Sequence, residues 1–290
     1  MRPAPLGEAD HVSYRGRRIG LLTQHGKERV ISPELDRALG CRVEHVGGYD
    51  TDLLGTFTRE IPRAGTQLEA ARKKARTGMQ LLGLPLGLAS EGSFGPDPVT
   101  GMIPWNVELI ILIDDEQVLE VIGVAQGGTN FSHLLTTSWE EAELFAHTRG
   151  FPEHQLVVRP AGGDDPRIRK GIASWEELAA VYSEAQVQSG SGHVLLETDV
   201  RAHANPTRME NIRHAAQDLT AKVRSLCPAC AAPGFWTVER VAGLPCGQCR
   251  APTNETREDV HGCLRCPHRL IRVRTDREHA DPAHCDYCNP

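Results

Sequence analysis

Eight of the nine cysteines lie after residue 226, where they form four Cys-x-x-Cys pairs. A two-residue spacer allows a tight turn to direct both sulfurs at one metal ion, and two such turns complete a tetrahedron of thiolates. In a reducing compartment, thiols clustered in this way are metal ligands more often than disulfides. The sequence therefore predicts two structural Zn²⁺ ions, with the ligands Cys227, Cys230, Cys246, Cys249, Cys263, Cys266, Cys285 and Cys288.

The spacing of the pairs favours one pairing order and leaves another open. Fifteen residues separate the first two pairs and eighteen separate the last two, and both gaps fit the spacer of about 15–20 residues in four-cysteine ribbons. We predict sequential pairing, while nested pairing stays open because the central gap is thirteen residues. Disulfides and an iron–sulfur cluster are the rival interpretations. Four histidines could each replace one thiolate: His261, His268, His279 and His284.

The chemistry of such a module is structural, because a closed four-cysteine site has no open coordination position. From Cys227 to Pro290, eight Arg balance eight Asp and Glu, and there is no Lys. Two Zn²⁺ ions with four thiolates each add about four negative charges, so the module has no net positive field for nucleic acid. A solvated surface is the simpler interpretation of the five arginines that could form one basic face: Arg265, Arg269, Arg272, Arg274 and Arg277.

Three segments of the preceding chain carry side chains suited to phosphate and metal chemistry. Thr23 and Lys27 belong to a polar, Gly-containing turn after a predicted strand, where N–H groups and a lysine can meet phosphates. Glu91 ends an apolar strand and precedes Gly92, a place where α/β proteins position metal ligands. A carboxylate that caps a turn is the alternative. Arg208 lies at a predicted helix start, where phosphate recognition is favourable.

An α/β domain must position these residues, because short apolar runs alternate with helical patterns from Arg18 onwards. Two predicted helices begin with capping boxes, at Ser138 and Ser174. The predicted strands cover residues 18–23, 41–46, 87–90, 107–113, 118–125, 155–159 and 193–198, and the predicted helices cover residues 33–39, 67–82, 139–149, 175–188 and 207–224. We divide the chain into a flexible arm (1–16), an α/β domain (17–224) and the cysteine module (225–290).

The composition excludes several classes of protein. A hydrophobic content of 40% with mixed charge is typical of a globular chain. The net charge of −6 argues against a general binder of nucleic acid or anionic membranes. The first residues lack the apolar run of a secretory signal, and no stretch approaches the roughly 20 apolar residues of a membrane span. We therefore expect a cytoplasmic protein that does not associate with membranes.

The α/β part carries four motifs in order. Thr23, Gly26 and Lys27 loosely match a Thr-x-Asn-x-x-Lys loop after a first strand. Next comes a Glu followed by a Gly-Thr-(hydrophobic)-Glu-x-Ala-x-x-Lys-Ala helix, matched by Glu60, Gly65, Thr66, Glu69, Ala71, Lys74 and Ala75. Ser90-Glu91-Gly92 and Thr207-Arg208 match an acidic-Gly turn and a closing motif before the last helix. Over about residues 18–222 the sequence thus resembles the inosine triphosphate pyrophosphatase superfamily, which includes the bacterial non-canonical purine nucleotide phosphatases.

The resemblance implies a mixed-sheet α/β fold and a Mg²⁺- or Mn²⁺-dependent phosphohydrolase whose substrate is a nucleotide. Glu60 and Glu91 would hold the metal, which bridges triphosphate oxygens and activates water. Three cations would neutralise charge on the phosphates: Lys27, Lys74 and Arg208. Three threonines would complete the nucleotide site: Thr23, Thr66 and Thr207. With its tail, the chain also resembles an uncharacterised bacterial family of proteins that carry a C-terminal double zinc ribbon.

Two departures from the motifs keep a second class of function open. The Asn of the first loop is absent, and Ser90 stands where a second acidic residue usually accompanies the metal carboxylate. These departures favour a non-catalytic adaptor that uses the zinc module to dock a protein or RNA partner. An RNA-processing enzyme is a third interpretation, which the charge balance of the module makes less attractive.

Overall fold

A computed structural model describes residues 14–49, 65–163 and 165–290 of the protein. Its largest sheet has five strands in the order β2-β1-β3-β4-β5. The first three strands of that order run parallel, and β3, β4 and β5 form antiparallel pairs. The bounds are Arg18–Leu22 for β1, Arg42–Val46 for β2, Leu86–Pro96 for β3, Pro104–Asp114 for β4 and Leu119–Gly128 for β5.

The described residues form five α-helices, which follow from the apolar periodicity of their sequences. They are α1 (Glu28–Leu39), α2 (Gln67–Leu82), α3 (Trp139–Thr148), α4 (Trp175–Gln188) and α5 (Pro206–Arg224). Apolar side chains of α1 and α5 pack on one face of the five-stranded sheet. Alanines and Met79 of α2 pack on the opposite face. The result is a three-layer arrangement in which both faces of β3 and β4 are covered, as expected for buried central strands.

A second sheet has four antiparallel strands in the order β6-β9-β7-β8. Its strands are β6 (His133–Thr136), β7 (Leu156–Pro160), β8 (Arg169–Ile172) and β9 (Val194–Thr198). Helices α3 and α4 supply apolar side chains to one face of this sheet, where they form a separate core. Both helices begin at the predicted N-caps, because Ser138 and Ser174 accept hydrogen bonds from the third helical residue.

The cysteine-rich module contains a third, antiparallel sheet in the order β10-β11-β12. Its strands are β10 (Trp236–Ala242), β11 (Thr256–Gly262) and β12 (Arg269–Val273). The fold class is therefore mixed α/β with one mixed and two antiparallel sheets and a C-terminal cysteine-rich module. None of the helices in the described part of the chain is long and apolar enough to span a bilayer.

Strand β3 differs from its prediction in a way that matters for function. We expected the strand to end at Ser90 and a turn to follow, but the strand continues through Glu91 and Gly92 to Pro96. Gly92 pairs with Glu108 in the ladder. A Cβ on Gly92 would lie 2.5 Å from Arg208 Nη2 and would also overlap Glu108 Oε1. The glycine therefore permits the close approach of two charged side chains and does not form a turn.

Gly123 marks the place where β5 and α5 come closest. An added Cβ would overlap the backbone oxygen of Ala215 and would lie 2.6 Å from the backbone nitrogen of Leu219. We expect Gly123→Ala to lower the free energy of unfolding by about 1–3 kcal/mol, because rigid helix backbone must shift. Gly128→Ala, on the same strand, has no atom within 4 Å of its new Cβ and should be nearly neutral. Urea denaturation of both variants checks this, and equal stability of the two would contradict the packing described.

Candidate metal centres and a buried charged cluster

The eight cysteines of the module form two groups of four. One group contains Cys227, Cys230, Cys263 and Cys266, and the other contains Cys246, Cys249, Cys285 and Cys288. Within each group all ligand atoms lie within 4.8 Å of one another. The Sγ–Sγ distances between partner pairs are 3.8 and 3.5 Å in the first group and 3.8 and 3.6 Å in the second.

These distances fit a metal and do not fit disulfides. A tetrahedron of sulfurs around Zn²⁺, with Zn–S bonds of about 2.3 Å, has edges of about 3.8 Å. A disulfide needs an S–S distance of about 2.05 Å. Backbone N–H groups of Gln248 and Arg265 also donate to Cys246 Sγ and Cys263 Sγ, at 3.4 and 3.3 Å. Such outer hydrogen bonds orient thiolate ligands. Each group can therefore hold one metal ion, and the histidines considered above are not members of either group.

The pairing is interleaved, so the predicted sequential order is wrong and the nested alternative is wrong too. The first pair joins the third, and the second joins the fourth. The sheet imposes this order, because β10, seven residues and about 20 Å long, separates the first two pairs. In the antiparallel ladder, Trp236 at the start of β10 pairs with Gly262 at the end of β11. The first and third pairs therefore meet at one end of the sheet, and the other two meet at the opposite end.

The first metal group lies against the α/β part. Ser225 Oγ donates to the carbonyl of Phe235 at 2.7 Å, and the N–H of Phe235 donates to the carbonyl of Ser225 at 2.9 Å. Gly234 is so close to β5 that an added Cβ would lie 3.2 Å from Val121 Cγ2. Arg265, between two cysteine ligands, donates to Gln117 Oε1 at 2.9 Å. The cysteine group thus anchors the segment that follows α5.

A second constellation lies in the five-stranded sheet, beyond the end of β1. The β1–β3 ladder ends at the Leu22–Ala89 pair, so Ser90 and Glu91 are the first residues of β3 without β1 beside them. Glu91 is 4% exposed and forms an ion pair with Lys74 of α2. Gln67, also on α2, donates to the Glu91 carbonyl at 2.8 Å. This ion pair lies on the face of the sheet that α2 covers.

On the opposite face, Arg208 of α5 pairs with Glu108 of β4. Arg208 Nε donates to Glu108 Oε1 at 2.8 Å, and both side chains are 0% exposed. Asn106 Nδ2 donates to the same oxygen at 3.0 Å, and Arg208 Nη1 donates to the Val200 carbonyl at 2.5 Å. The guanidinium also lies over the ring of Phe94, 5.4 Å from its centroid. Within the described ranges, no hydrogen-bond donor reaches Glu108 Oε2.

Lys27 interacts electrostatically with the ion pairs on both faces of the sheet. Its Nζ donates to the carbonyl and hydroxyl of Ser90, at 3.4 and 3.3 Å, and the residue is 6% exposed. Burial, together with the nearby Arg208 and Lys74, lowers the pKa of Lys27 to about 8. Glu108 and Glu91 oppose this shift. Four predicted residues, Lys27, Lys74, Glu91 and Arg208, are therefore close enough to interact electrostatically, and Glu108 joins them.

Two of the predicted threonines, Thr66 and Thr207, lie at the start of helices that carry cluster residues and have local partners. Thr66 is the N-cap of α2, where its hydroxyl accepts from the Glu69 N–H at 3.2 Å and donates to Glu69 Oε2 at 2.9 Å. Thr207 Oγ1 lies 2.9 Å from His154 Nε2. The Thr66 hydroxyl therefore holds the start of α2, and the Thr207 hydroxyl contacts a neighbouring loop.

Thr23 lies in the turn that leads to Lys27. Its hydroxyl donates to the Gln24 carbonyl at 3.3 Å, and its own carbonyl accepts from His45 Nε2 at 2.9 Å. The other predicted metal carboxylate, Glu60, lies outside the described residues.

Two residues that hold Arg208 in place were not predicted as site residues: Glu108, which pairs with it, and Asn106, which donates to Glu108. The sequence predicts a strand over residues 107–113, in which Glu108 precedes five apolar residues, and it gives Asn106 and Glu108 no role. The missed signal is the alternation Asn106-Val-Glu108, because side chains two apart on a strand share a face. Two polar residues on one face of a central strand need buried partners. No pattern in the sequence indicates that His25 and His203 lie near Lys27.

Comparison with known proteins assigns the family. The profile of a family described as a domain of unknown function (DUF6671) matches residues 74–290. The chain belongs to this family. The matched region includes Lys74, Glu91, Glu108 and Arg208 as well as all eight cysteines of the module. A comparison with curated proteins found no match.

The Arg208–Glu108 pair should be the most costly ion pair to break. We expect Arg208→Met to lower the free energy of unfolding by roughly 3–5 kcal/mol, because it leaves the buried Glu108 carboxylate without its cation. The double variant Arg208→Met/Glu108→Gln should recover part of this loss. Arg213→Met is the matched control on α5, since its pair with Glu210 is exposed and worth at most about 1 kcal/mol. Denaturant titrations in which Arg208→Met is as mild as Arg213→Met would contradict the description.

Proposed function

We propose that the protein is a metal-dependent nucleotide phosphohydrolase whose site is the charged cluster around Ser90. The observation that carries the proposal is the charge of that cluster. Among the described residues, three buried or nearly buried cations, Lys27, Lys74 and Arg208, lie close to two carboxylates, Glu91 and Glu108, so these five side chains together carry a net charge of +1. Burial of unbalanced charge is costly, and an anionic ligand would relieve that cost.

The position of the cluster supports the same function. Parallel strands β1 and β2 end where β3 continues, so their carboxyl ends border the cluster. Open α/β sheets bind ligands at the carboxyl ends of parallel strands. Lys27, in the turn after β1, and Lys74, on α2, reach β3 from opposite sides of this edge. A phosphate chain at the edge would therefore meet cations from both layers.

Glu91, together with Glu60, would hold Mg²⁺ or Mn²⁺. The donor set suits a hard cation, because Mg²⁺ in proteins is commonly bound by one or two carboxylates plus substrate phosphates and water. When bound, the metal would polarise the phosphates and activate water. The cluster is already cationic, so we infer that the metal enters with the negatively charged triphosphate. Glu91, paired with Lys74, is then oriented before the substrate arrives.

Lys27, Lys74 and Arg208 would stabilise the charge that develops on the phosphates. Contacts with Ser90, Glu91 and Glu108 hold all three cations in place, so little reorganisation would be needed. The resemblance of the motifs to the inosine triphosphate pyrophosphatase superfamily supports a nucleoside triphosphate, of a non-canonical or modified kind, as the substrate.

We further propose that each four-cysteine group holds a structural Zn²⁺ ion. Tetrahedral thiolate sites are closed and contribute folding energy, so the ions would stabilise both ends of the β10–β12 sheet. Thiolates that persist as ligands require a reducing environment, which supports a cytoplasmic location.

An adaptor function is the second candidate, and the outer edge of β12 favours it. All five residues of Arg269–Val273 are exposed, and among the described strands β12 pairs only with β11. An extended, acidic segment of a protein partner could add to this edge opposite Arg269 and Arg272. Nucleotide hydrolysis separates the candidates, because an adaptor requires none.

Metal analysis tests the zinc proposal and the pairing together. The wild-type protein should contain two zinc ions per chain. Cys227→Ser/Cys263→Ser removes two ligands of one group and should leave about one ion, whereas Cys227→Ser/Cys246→Ser damages both groups and should leave fewer. Elemental analysis after dialysis gives the stoichiometry. Sequential pairing would reverse the order of the two variants, and iron in place of zinc would contradict the proposal.

Glu91→Gln tests the catalytic proposal, because it keeps side-chain size but removes the charge that a hard cation needs. We expect turnover to fall at least about a hundredfold, or roughly 2.7 kcal/mol. Stability should fall too, since Lys74 loses its partner. The double variant Glu91→Gln/Lys74→Met removes the whole pair and should regain stability without regaining turnover.

The control is Glu120→Gln, which breaks a more exposed ion pair between β5 and Arg72 of α2, outside the cluster. Its turnover should match the wild type. If the Glu91→Gln/Lys74→Met variant hydrolyses nucleotides as the wild type does, Glu91 has only a structural role.

A further inference from the structure

A cavity of about 460 Å³ lies where the parallel strands β1 and β2 end. One wall is the turn between β1 and α1, and the opposite wall is the segment that follows β2. Two contacts tie these walls together: Gln24 Nε2 donates to the Tyr49 carbonyl at 3.3 Å, and His45 Nε2 lies 2.9 Å from the Thr23 carbonyl oxygen. The volume lies in the range of small-molecule sites, which is about 300–1,000 Å³.

Two glycines leave the wall after β2 open. Gly47 and Gly48 both line the cavity, and a Cβ added to either would meet no atom within 4 Å. Gly48 has a φ of +80°, a backbone conformation that a residue with a side chain rarely adopts. Ligand atoms can therefore approach the backbone of this segment closely.

The lining of the cavity differs in charge from the neighbouring cluster. Among the described residues that line it there is no Lys or Arg, and Glu28 is the one carboxylate. The nearest lysine in the chain, Lys27, directs its Nζ to Ser90 in the cluster. A phosphate group therefore meets its cations in the cluster, whereas the cavity suits a part of the ligand that donates hydrogen bonds.

Glu28 supplies an acceptor for such a donor. It is the first residue of α1, and its Oε2 atom is buried. No hydrogen-bond donor in the described part of the chain reaches this oxygen. A buried carboxylate oxygen without a donor is costly, and native proteins contain few such atoms. A ligand group that donates to Glu28 would remove that cost.

The cavity and the charged cluster share the turn between β1 and α1. Gly26 and Glu28 line the cavity, while Lys27, the residue between them, contacts Ser90 in the cluster. In a nucleotide the ribose directly follows the phosphates, and the base lies farther away. A nucleotide with its phosphates at Lys27 therefore brings its ribose, rather than its base, next to Glu28. Carboxylates commonly accept hydrogen bonds from ribose hydroxyls in α/β nucleotide sites.

We propose that the cavity beside Glu28 is a ribose subsite, in which the Glu28 carboxylate accepts hydrogen bonds from the 2′- and 3′-hydroxyls of the substrate. The inference rests on the proposed function, because it places the sugar of the same nucleotide whose phosphates bind the cluster. It also narrows the substrate class, since a site of this kind favours ribonucleotides over nucleotides that lack the hydroxyls. Glu28 is then a specificity-determining residue and takes no part in the cleavage of the phosphoanhydride bond.

Titration calorimetry with the full-length protein tests the subsite. The ligands are a non-hydrolysable ribonucleoside triphosphate, its 2′,3′-dideoxy counterpart and inorganic triphosphate, each with Mg²⁺. The variant is Glu28→Met, which keeps the length of the side chain but removes both acceptor oxygens. Glu34→Met is the matched control, because it changes a carboxylate on the same helix that does not line the cavity.

We expect the wild type to bind the ribonucleotide at least about tenfold more tightly than the dideoxy nucleotide, because charge-assisted hydrogen bonds are lost with the hydroxyls. Glu28→Met should bind the ribonucleotide at least about tenfold more weakly and should no longer distinguish the two nucleotides. Its affinity for inorganic triphosphate should equal that of the wild type, which shows in the same experiment that the variant is folded. Glu34→Met should match the wild type with all three ligands.

Two results would overturn the subsite. If Glu28→Met loses the same affinity for the ribonucleotide as for the dideoxy nucleotide, or loses none for either, Glu28 does not bind the ribose hydroxyls. The phosphohydrolase proposal would remain, because the phosphates still bind. If none of the three ligands binds the wild type at millimolar concentration, the proposed function is overturned, and the subsite with it.

Discussion

The fully buried ion pair between Arg208 and Glu108 is the interaction on which the α/β part depends. It joins the last helix to the central hairpin, and Gly92 leaves room for it in the adjacent strand. Burying two charges is expensive, and apolar residues of similar volume often give equal or greater stability. The cost is offset in part by Asn106 and by the Val200 carbonyl. An arrangement that stability alone does not favour is easier to explain if the charges bind a ligand.

The same pair organises its neighbours on both sides of the sheet. The charges of both ion pairs, Arg208–Glu108 and Lys74–Glu91, act on Lys27. The ion pairs on the two faces of the sheet are therefore electrostatically coupled through it. Helix α5 then leads directly into the cysteine module, whose first metal group contacts β5 through Gly234. Metal binding at that group would fix the end of the helix that carries Arg208. The module is thus placed to stabilise the domain that precedes it, at a distance from the charged cluster.

The sequence predicted the parts of the structure that depend on local pattern. Capping residues located α3 and α4, and apolar runs located most strands of the α/β part. It did not predict β6 or β8, which are four residues each, or the three strands of the module, whose side chains are largely polar or exposed. Cys-x-x-Cys spacing identified the eight cysteines that form the two candidate metal groups but gave the wrong pairing, because pairing depends on an antiparallel sheet that spacing does not encode. The role of Glu108 likewise depends on a contact that is distant in sequence, since its partner Arg208 lies a hundred residues away.

The most direct test of the account is phosphorus NMR of the zinc-loaded, full-length protein with a panel of canonical and modified nucleoside triphosphates. Each reaction is followed with Mg²⁺, with Mn²⁺ and without added divalent metal. The account predicts that at least one nucleotide loses a phosphoanhydride bond, and that omission of the metal stops the reaction. Intact nucleotides throughout, with protein that remains folded and carries two zinc ions, would contradict it and would favour the adaptor function.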